Sequence, residues 1–147
     1  MDLTKHYPRS PHDKMLGIYS LPRVIDKASA SNEGKLGEYD YDCPHDKPVF
    51  EFLGTDGATF AKKVAELKTD QAIGDWVKRD TAYARKSPQE IETFNAGRLA
   101  WAPEPGSRGE EFFKGQLAQI APNRTDIKTW FDFLDLDEKR SVEPAHA

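Results

Sequence analysis

Apolar side chains recur at helical intervals through most of this chain. Phe60, Val64 and Leu67 stand at i, i+4 and i+7, the spacing that lines one face of an α-helix. Ile73, Trp76 and Val77 form the next such set. Phe112, Phe113, Leu117 and Ile120 mark another helix, ended by Pro122. Ile127, Trp130, Phe131 and Leu134 mark the last, opened by Thr125 or Asp126. Between the runs, short polar residues and prolines supply the starts. Ser87-Pro88-Gln89-Glu90 is a capping box ahead of Ile91 and Phe94. Ser10-Pro11-His12-Asp13 has a capping serine, a proline at the first helical position and an acid at the third, and predicts a short helix cut off at Gly17. Ser20 or Leu21 opens the next helix, through Arg23, Ile25, Lys27 and Ala30 to a stop at residues 32–34. Residues 48–53 form a short apolar turn closed by Gly54. Thr55 or Asp56 then caps the helix of Phe60, and Thr69 or Asp70 the helix of Ile73.

One segment breaks this rhythm. Tyr39, Tyr41 and Cys43 alternate with Glu38, Asp40 and Asp42, a period of two that suits extended backbone. The pattern therefore predicts a mainly α fold, a compact single-domain bundle of about six or seven short helices with one short extended segment or hairpin near residues 34–43. Residues 1–137 are read as the globular domain and 138–147 as a flexible C-terminal tail. Ala102 to Gly109, APEPGSRG, reads as a connecting loop.

Composition narrows the class. The 147 residues include eight Phe, three Trp and five Tyr, enough to fill a continuous core. A net charge of −4 repels phosphate backbones at long range, which argues against a nucleic-acid partner. The single cysteine excludes an internal disulfide and fits a reducing compartment. No apolar run approaches the roughly 18 residues of a membrane span. A soluble cytoplasmic protein is expected, with no membrane partner.

Familiar chemistry is scarce. The chain holds neither GxGxxG nor GxxxxGK[ST], and no GxSxG elbow. His6, His12 and His45 with Asp40, Asp42 and Asp46 are the available metal ligands, but no HxxxH or HExxH places two of them on one helical face, so no metal and no cofactor are expected. Cys43 is the candidate catalytic residue: an expected helix start follows it, with His45 and Lys47 nearby, and cations and helix N-termini favour the reactive thiolate. Asp42 and Asp46 oppose that activation, and free cysteines usually pack inward, so a packing role is preferred. The other candidates are cations. Lys5, Arg9, Lys14, Arg23 and Lys27 face only Asp2, Asp13 and Asp26 within the first 27 residues, a net of +2. Arg9, Arg23 and Lys27 are the candidate ligand-binding residues, able to hold a small anion.

The ordered set Arg9-Ser10-Pro11, Leu16-Gly17, Leu21-Pro22-Arg23, Ile25-Asp26-Lys27-Ala28, Gly37-Glu38-Tyr39, Cys43-Pro44, Asp46 and Phe52-Leu53-Gly54 resembles a small bacterial family of domains of unknown function. The likeness is densest over residues 2–54. His45 stands where such a family would carry an apolar residue, which weakens any Cys43–His45 dyad. The resemblance implies a bacterial, cytoplasmic protein and carries no activity or catalytic residues with it. The leading expectation is a non-catalytic domain that binds a partner protein or a small anion near its N-terminus. The alternative is a thiol-dependent enzyme or redox-sensitive protein using Cys43.

Overall fold

The computed structural model describes residues 1–144. In chain order its elements are β1 (Lys14–Met15), β2 (Ile18–Tyr19), α1 (Leu21–Asn32), α2 (Lys47–Leu53), α3 (Gly57–Leu67), α4 (Asp70–Asp80), a 3-10 turn (Ala82–Arg85), α5 (Pro88–Ala100), α6 (Arg108–Ile120) and α7 (Trp130–Asp137). The fold is mainly α.

Capping side chains set most of the helix starts, because the first N–H groups of a helix have no partner within it. The Thr59 N–H donates to the Asp56 carboxylate at 2.8 Å, and the Ala72 N–H to Thr69 Oγ1 at 3.1 Å, opening α3 and α4. At α5 the capping box closes in both directions: the Glu90 N–H donates to Ser87 Oγ, and the Ser87 N–H to Glu90 Oε1, each at 3.1 Å. These bonds hold the Glu90 carboxyl below the usual range. Ser107 caps α6 through the Glu110 N–H, and Thr129 caps α7 through the Asp132 N–H. Helices α1 and α2 lack a capping side chain and begin instead with a proline in the first turn.

Three expectations are corrected. No helix follows Ser10-Pro11. Instead, Ser10 Oγ accepts from the His12 N–H and the Asp13 carboxylate accepts from the Ser10 N–H, both at 3.0 Å, which closes a turn. The chain then enters the hairpin, with Lys14 opposite Tyr19 and Met15 opposite Ile18. Its two-residue loop, Leu16 and Gly17, has φ of 54° and 74°, the left-handed pair that matches the twist of a tight hairpin. The β structure among the described residues lies here and not near 34–43. Residues 34–43 form turns, although their side chains alternate: no adjacent strand offers hydrogen bonds. The last helix starts at Trp130 rather than at 125 or 126, because Asp126 is taken up by Arg124 at 2.8 and 2.9 Å and is not free to cap.

Leu16 pays a steric penalty at positive φ that glycine would not. Tyr83 Oη holds this turn by donating to the Leu16 carbonyl at 2.9 Å. Tyr83→Phe is expected to lower stability by about 1 kcal/mol, read as a lower urea midpoint at constant slope. A variant as stable as the parent would show that the hydroxyl does not anchor the turn.

By packing, the chain divides into two compact units, Met1–Phe94 and the segment from Asn95 onward. The first buries Ile18, Leu21, Val24, Ile25, Val49, Phe50, Leu53, Phe60, Val64, Ile73 and Val77, with Trp76 packed against them. The second buries Phe113, Leu117, Ile127 and Phe133, with Trp130 and Val142 against them. Within the segment read as a tail, Glu138 is buried and bonded to Arg140; residues 145–147 lie outside the described residues. No helix among the described residues is long and apolar enough to cross a membrane.

Candidate functional site

Helix α1 is buried on two faces. Leu21, Val24, Ile25 and Ala28 form the apolar one. Arg23, Asp26, Lys27 and Ala30 repeat the same i, i+3, i+4, i+7 spacing and are equally buried. A buried charge must be paired, and this polar face pairs its charges in two clusters.

The first cluster gathers around Asp26. The Arg9 backbone N–H donates to Asp26 Oδ2 at 2.9 Å, Arg9 Nε to the same oxygen at 3.0 Å and Nη2 to Oδ1 at 3.0 Å. The far edge of the same guanidinium donates to Asp70 at the start of α4, Nη1 at 2.6 Å and Nη2 at 3.1 Å. Arg9 thus lies between two carboxylates, each gripped by two guanidinium nitrogens. Its hydrogen bonds to Asp70, and then those to Asp26, raise its already high pKa further. Arg23 Nη1 donates to the Arg9 carbonyl at 3.1 Å, and its guanidinium lies 5.8 Å from the Tyr39 ring centre.

The second cluster gathers around Asp46. Lys27 Nζ lies 2.9 Å from both Asp46 carboxylate oxygens, and the two side chains are only 5% and 2% exposed. The Asp42 N–H donates to Asp46 Oδ2 at 3.0 Å. Cys43 joins this pair: Lys27 Nζ donates to Cys43 Sγ at 3.4 Å, and the thiol donates to Asp46 Oδ2 at 3.6 Å. Cys43 is half-buried, and its sulfur is held between an ammonium and a carboxylate. Local geometry explains the placement, because Asp42 adopts a φ of 60° and the Asp46 N–H closes onto the Cys43 carbonyl at 2.8 Å. The turn carries Cys43 back over α1. Beside it, Tyr41 Oη donates to the Gly57 carbonyl at 2.7 Å. Burial, reinforced by Asp46, Asp42 and Asp56, pushes its phenol pKa up.

The four residues singled out from the sequence therefore fall into two clusters on one helix face, Arg9 with Arg23 and Lys27 with Cys43. Sequence reasoning counted two of the acids that organise them but not their pairing. Asp26 and Asp46 were visible as neighbours in sequence, but nothing in the sequence marks Asp70 as the partner of Arg9, 61 residues away. No group of three or more His, Cys, Asp or Glu side chains among the described residues could hold a metal ion.

The comparison with curated proteins finds no match. The resemblance noted over the first 54 residues extends along the chain: a family model matches residues 5–140, and the protein belongs to that family, the domain of unknown function DUF5069.

Proposed function

We propose that this is a non-catalytic binding domain whose N-terminal region receives an anionic group, a carboxylate or phosphate of a partner or small ligand, at Arg9. The observation that carries the reading is the asymmetry of the two carboxylates on that guanidinium. Asp26 is 8% exposed and fixes one edge, whereas Asp70 is 48% exposed and covers the other. Exposed ion pairs contribute little, about 0–1 kcal/mol, so an incoming anion can replace Asp70 at small cost. The guanidinium it meets is already oriented by Asp26 and by its own backbone. The N–H groups at the start of α4 add a favourable partial charge on the same side. Arg23 supports this site from behind by holding the Arg9 carbonyl, whereas Lys27 is committed to Asp46 in the other cluster. A lone thiol, unable to form an internal disulfide, supports reading the protein as one of the bacterial cytoplasm.

The test uses opposite signs. Asp70→Asn removes the competitor and is expected to enlarge the thermal stabilisation produced by inorganic phosphate, while Arg9→Ala abolishes it. Phosphate shifts that are unchanged in both variants would sink the reading.

A second reading makes Cys43 the nucleophile of a thiol-dependent enzyme, favoured by the ammonium 3.4 Å from its sulfur. Rapid alkylation of Cys43 in the native protein at mildly acidic pH supports it. Labelling that waits for denaturant removes it.

A further inference from the structure

We propose that Cys43 and Lys27 form an oxidation-dependent covalent link, a sulfenamide between Sγ and Nζ, when a hydroperoxide reaches the thiol. The decisive feature is the buried amine beside the sulfur. Lys27 Nζ lies 3.4 Å from Sγ, and its side chain is 5% exposed, so the amine is enclosed beside the sulfur. Cys43 is half-buried, neither sealed in the core nor fully exposed, and its sulfur is held against that amine. Asp46 touches both partners, 2.9 Å from the nitrogen and 3.6 Å from the sulfur, and is placed to take a proton from either. Two different segments meet here, the helix carrying Lys27 and the turn carrying Cys43, so the link would tie α1 to the start of α2.

The chemistry balances in two steps. In the first, the sulfur attacks a peroxide oxygen; the O–O bond breaks and an S–O bond forms. The sulfur loses two electrons, the peroxide is reduced to water or an alcohol, and the thiol proton leaves with that oxygen, giving a sulfenic acid. In the second, which is redox-neutral, the Lys27 ammonium passes one proton to Asp46, and the free amine attacks the sulfenic sulfur. An S–N bond forms, the S–O bond breaks, and the departing hydroxide takes the nitrogen's next proton to leave as water. Asp46 then returns its proton to solvent. Sulfenic acids condense with a thiol to a disulfide or with a backbone nitrogen to a sulfenamide; this chain has no second cysteine, and the nitrogen beside Cys43 Sγ is the Lys27 amine. The link needs neither a substrate nor an anion at Arg9, so it is independent of the anion-binding reading and shares with the second reading only a reactive Cys43 thiol.

The experiment treats the full-length protein with hydrogen peroxide, then denatures it for intact mass and peptide mapping. The expected product has lost two hydrogens, joins the peptides of residues 27 and 43, and reverts with a thiol reductant. Lys27→Met should instead accumulate a sulfenic acid at Cys43 that dimedone traps; if that variant does not fold, the wild-type map decides alone. A wild-type protein that gains oxygen at Cys43 with Lys27 unlinked overturns the link while leaving the thiol reactive. A thiol inert to peroxide until denatured overturns the link and the enzyme reading together, while the phosphate response of the Asp70→Asn variant still reports on anion binding.

Discussion

Asp46→Ala is expected to destabilise the protein by about 3–5 kcal/mol, the cost of leaving a buried charge without its partner. Asp46 satisfies the Lys27 ammonium with both oxygens and also accepts the Asp42 N–H and the Cys43 thiol. With the carboxylate gone, Lys27 keeps its burial and loses its counter-charge, and the turn of residues 42–46 loses the acceptor that closes it. The second mutation separates these two losses. Lys27→Met removes the charge while keeping the length and apolar stem of the side chain, and replacing a buried pair with apolar groups is often close to neutral. The double variant should therefore recover more than half of the loss, leaving the part that belongs to the turn. Urea unfolding of the wild type, both singles and the double gives the coupling directly. A loss under about 1 kcal/mol in Asp46→Ala would mean that water reaches Lys27 and that the pair behaves like a surface one.

The helices were legible because their signals are local. Ser87 and Glu90 both appear in a four-residue window, and the bonds they make close within that window. Phe60, Val64 and Leu67 follow the period of one helix, and no distant residue is needed to read it. The errors came where a local signal had a competing local use. Ser10 and Asp13 look like a cap but bond each other across a turn, and Leu16-Gly17 turns the chain into a hairpin before a helix can begin. Asp126 looks like an N-cap until Arg124 claims it. The alternation of Tyr39, Tyr41 and Cys43 describes which way side chains face, not whether a strand has a partner. At the candidate site, the cations could be read from charge density, but their pairing could not: Asp26 lies on α1 itself, Asp46 precedes α2 and Asp70 begins α4. The polar stripe of α1 hid for a further reason: Arg23, Asp26 and Lys27 at helical spacing normally mark the solvent side, and only tertiary packing buries them.

Phe60→Ala carries the other large effect, about 3–5 kcal/mol for truncating a buried aromatic side chain. Phe60 is fully enclosed in the core of the first unit, its ring 5.2 Å from that of Phe50 and 6.0 Å from that of Trp76. Removing it costs the transfer of the ring, the tilted aromatic contacts on both sides and the cavity left behind, because α1 and α3 are held by many further side chains and cannot close fully over the gap. Phe60→Leu keeps most of the volume and is expected to lose less than half as much. Phe112 supplies the contrast. It has the same side chain and sits in an equally regular helix, but it is 55% exposed and only edges the Phe133 ring at 6.1 Å. Phe112→Ala should therefore change stability by less than about 1 kcal/mol. The difference between the two alanine variants, measured by urea unfolding under one set of conditions, reads what enclosure in a core adds: ring transfer, aromatic contacts and the cavity. Equal losses at the two positions would contradict the placement of Phe60 at the centre of its core.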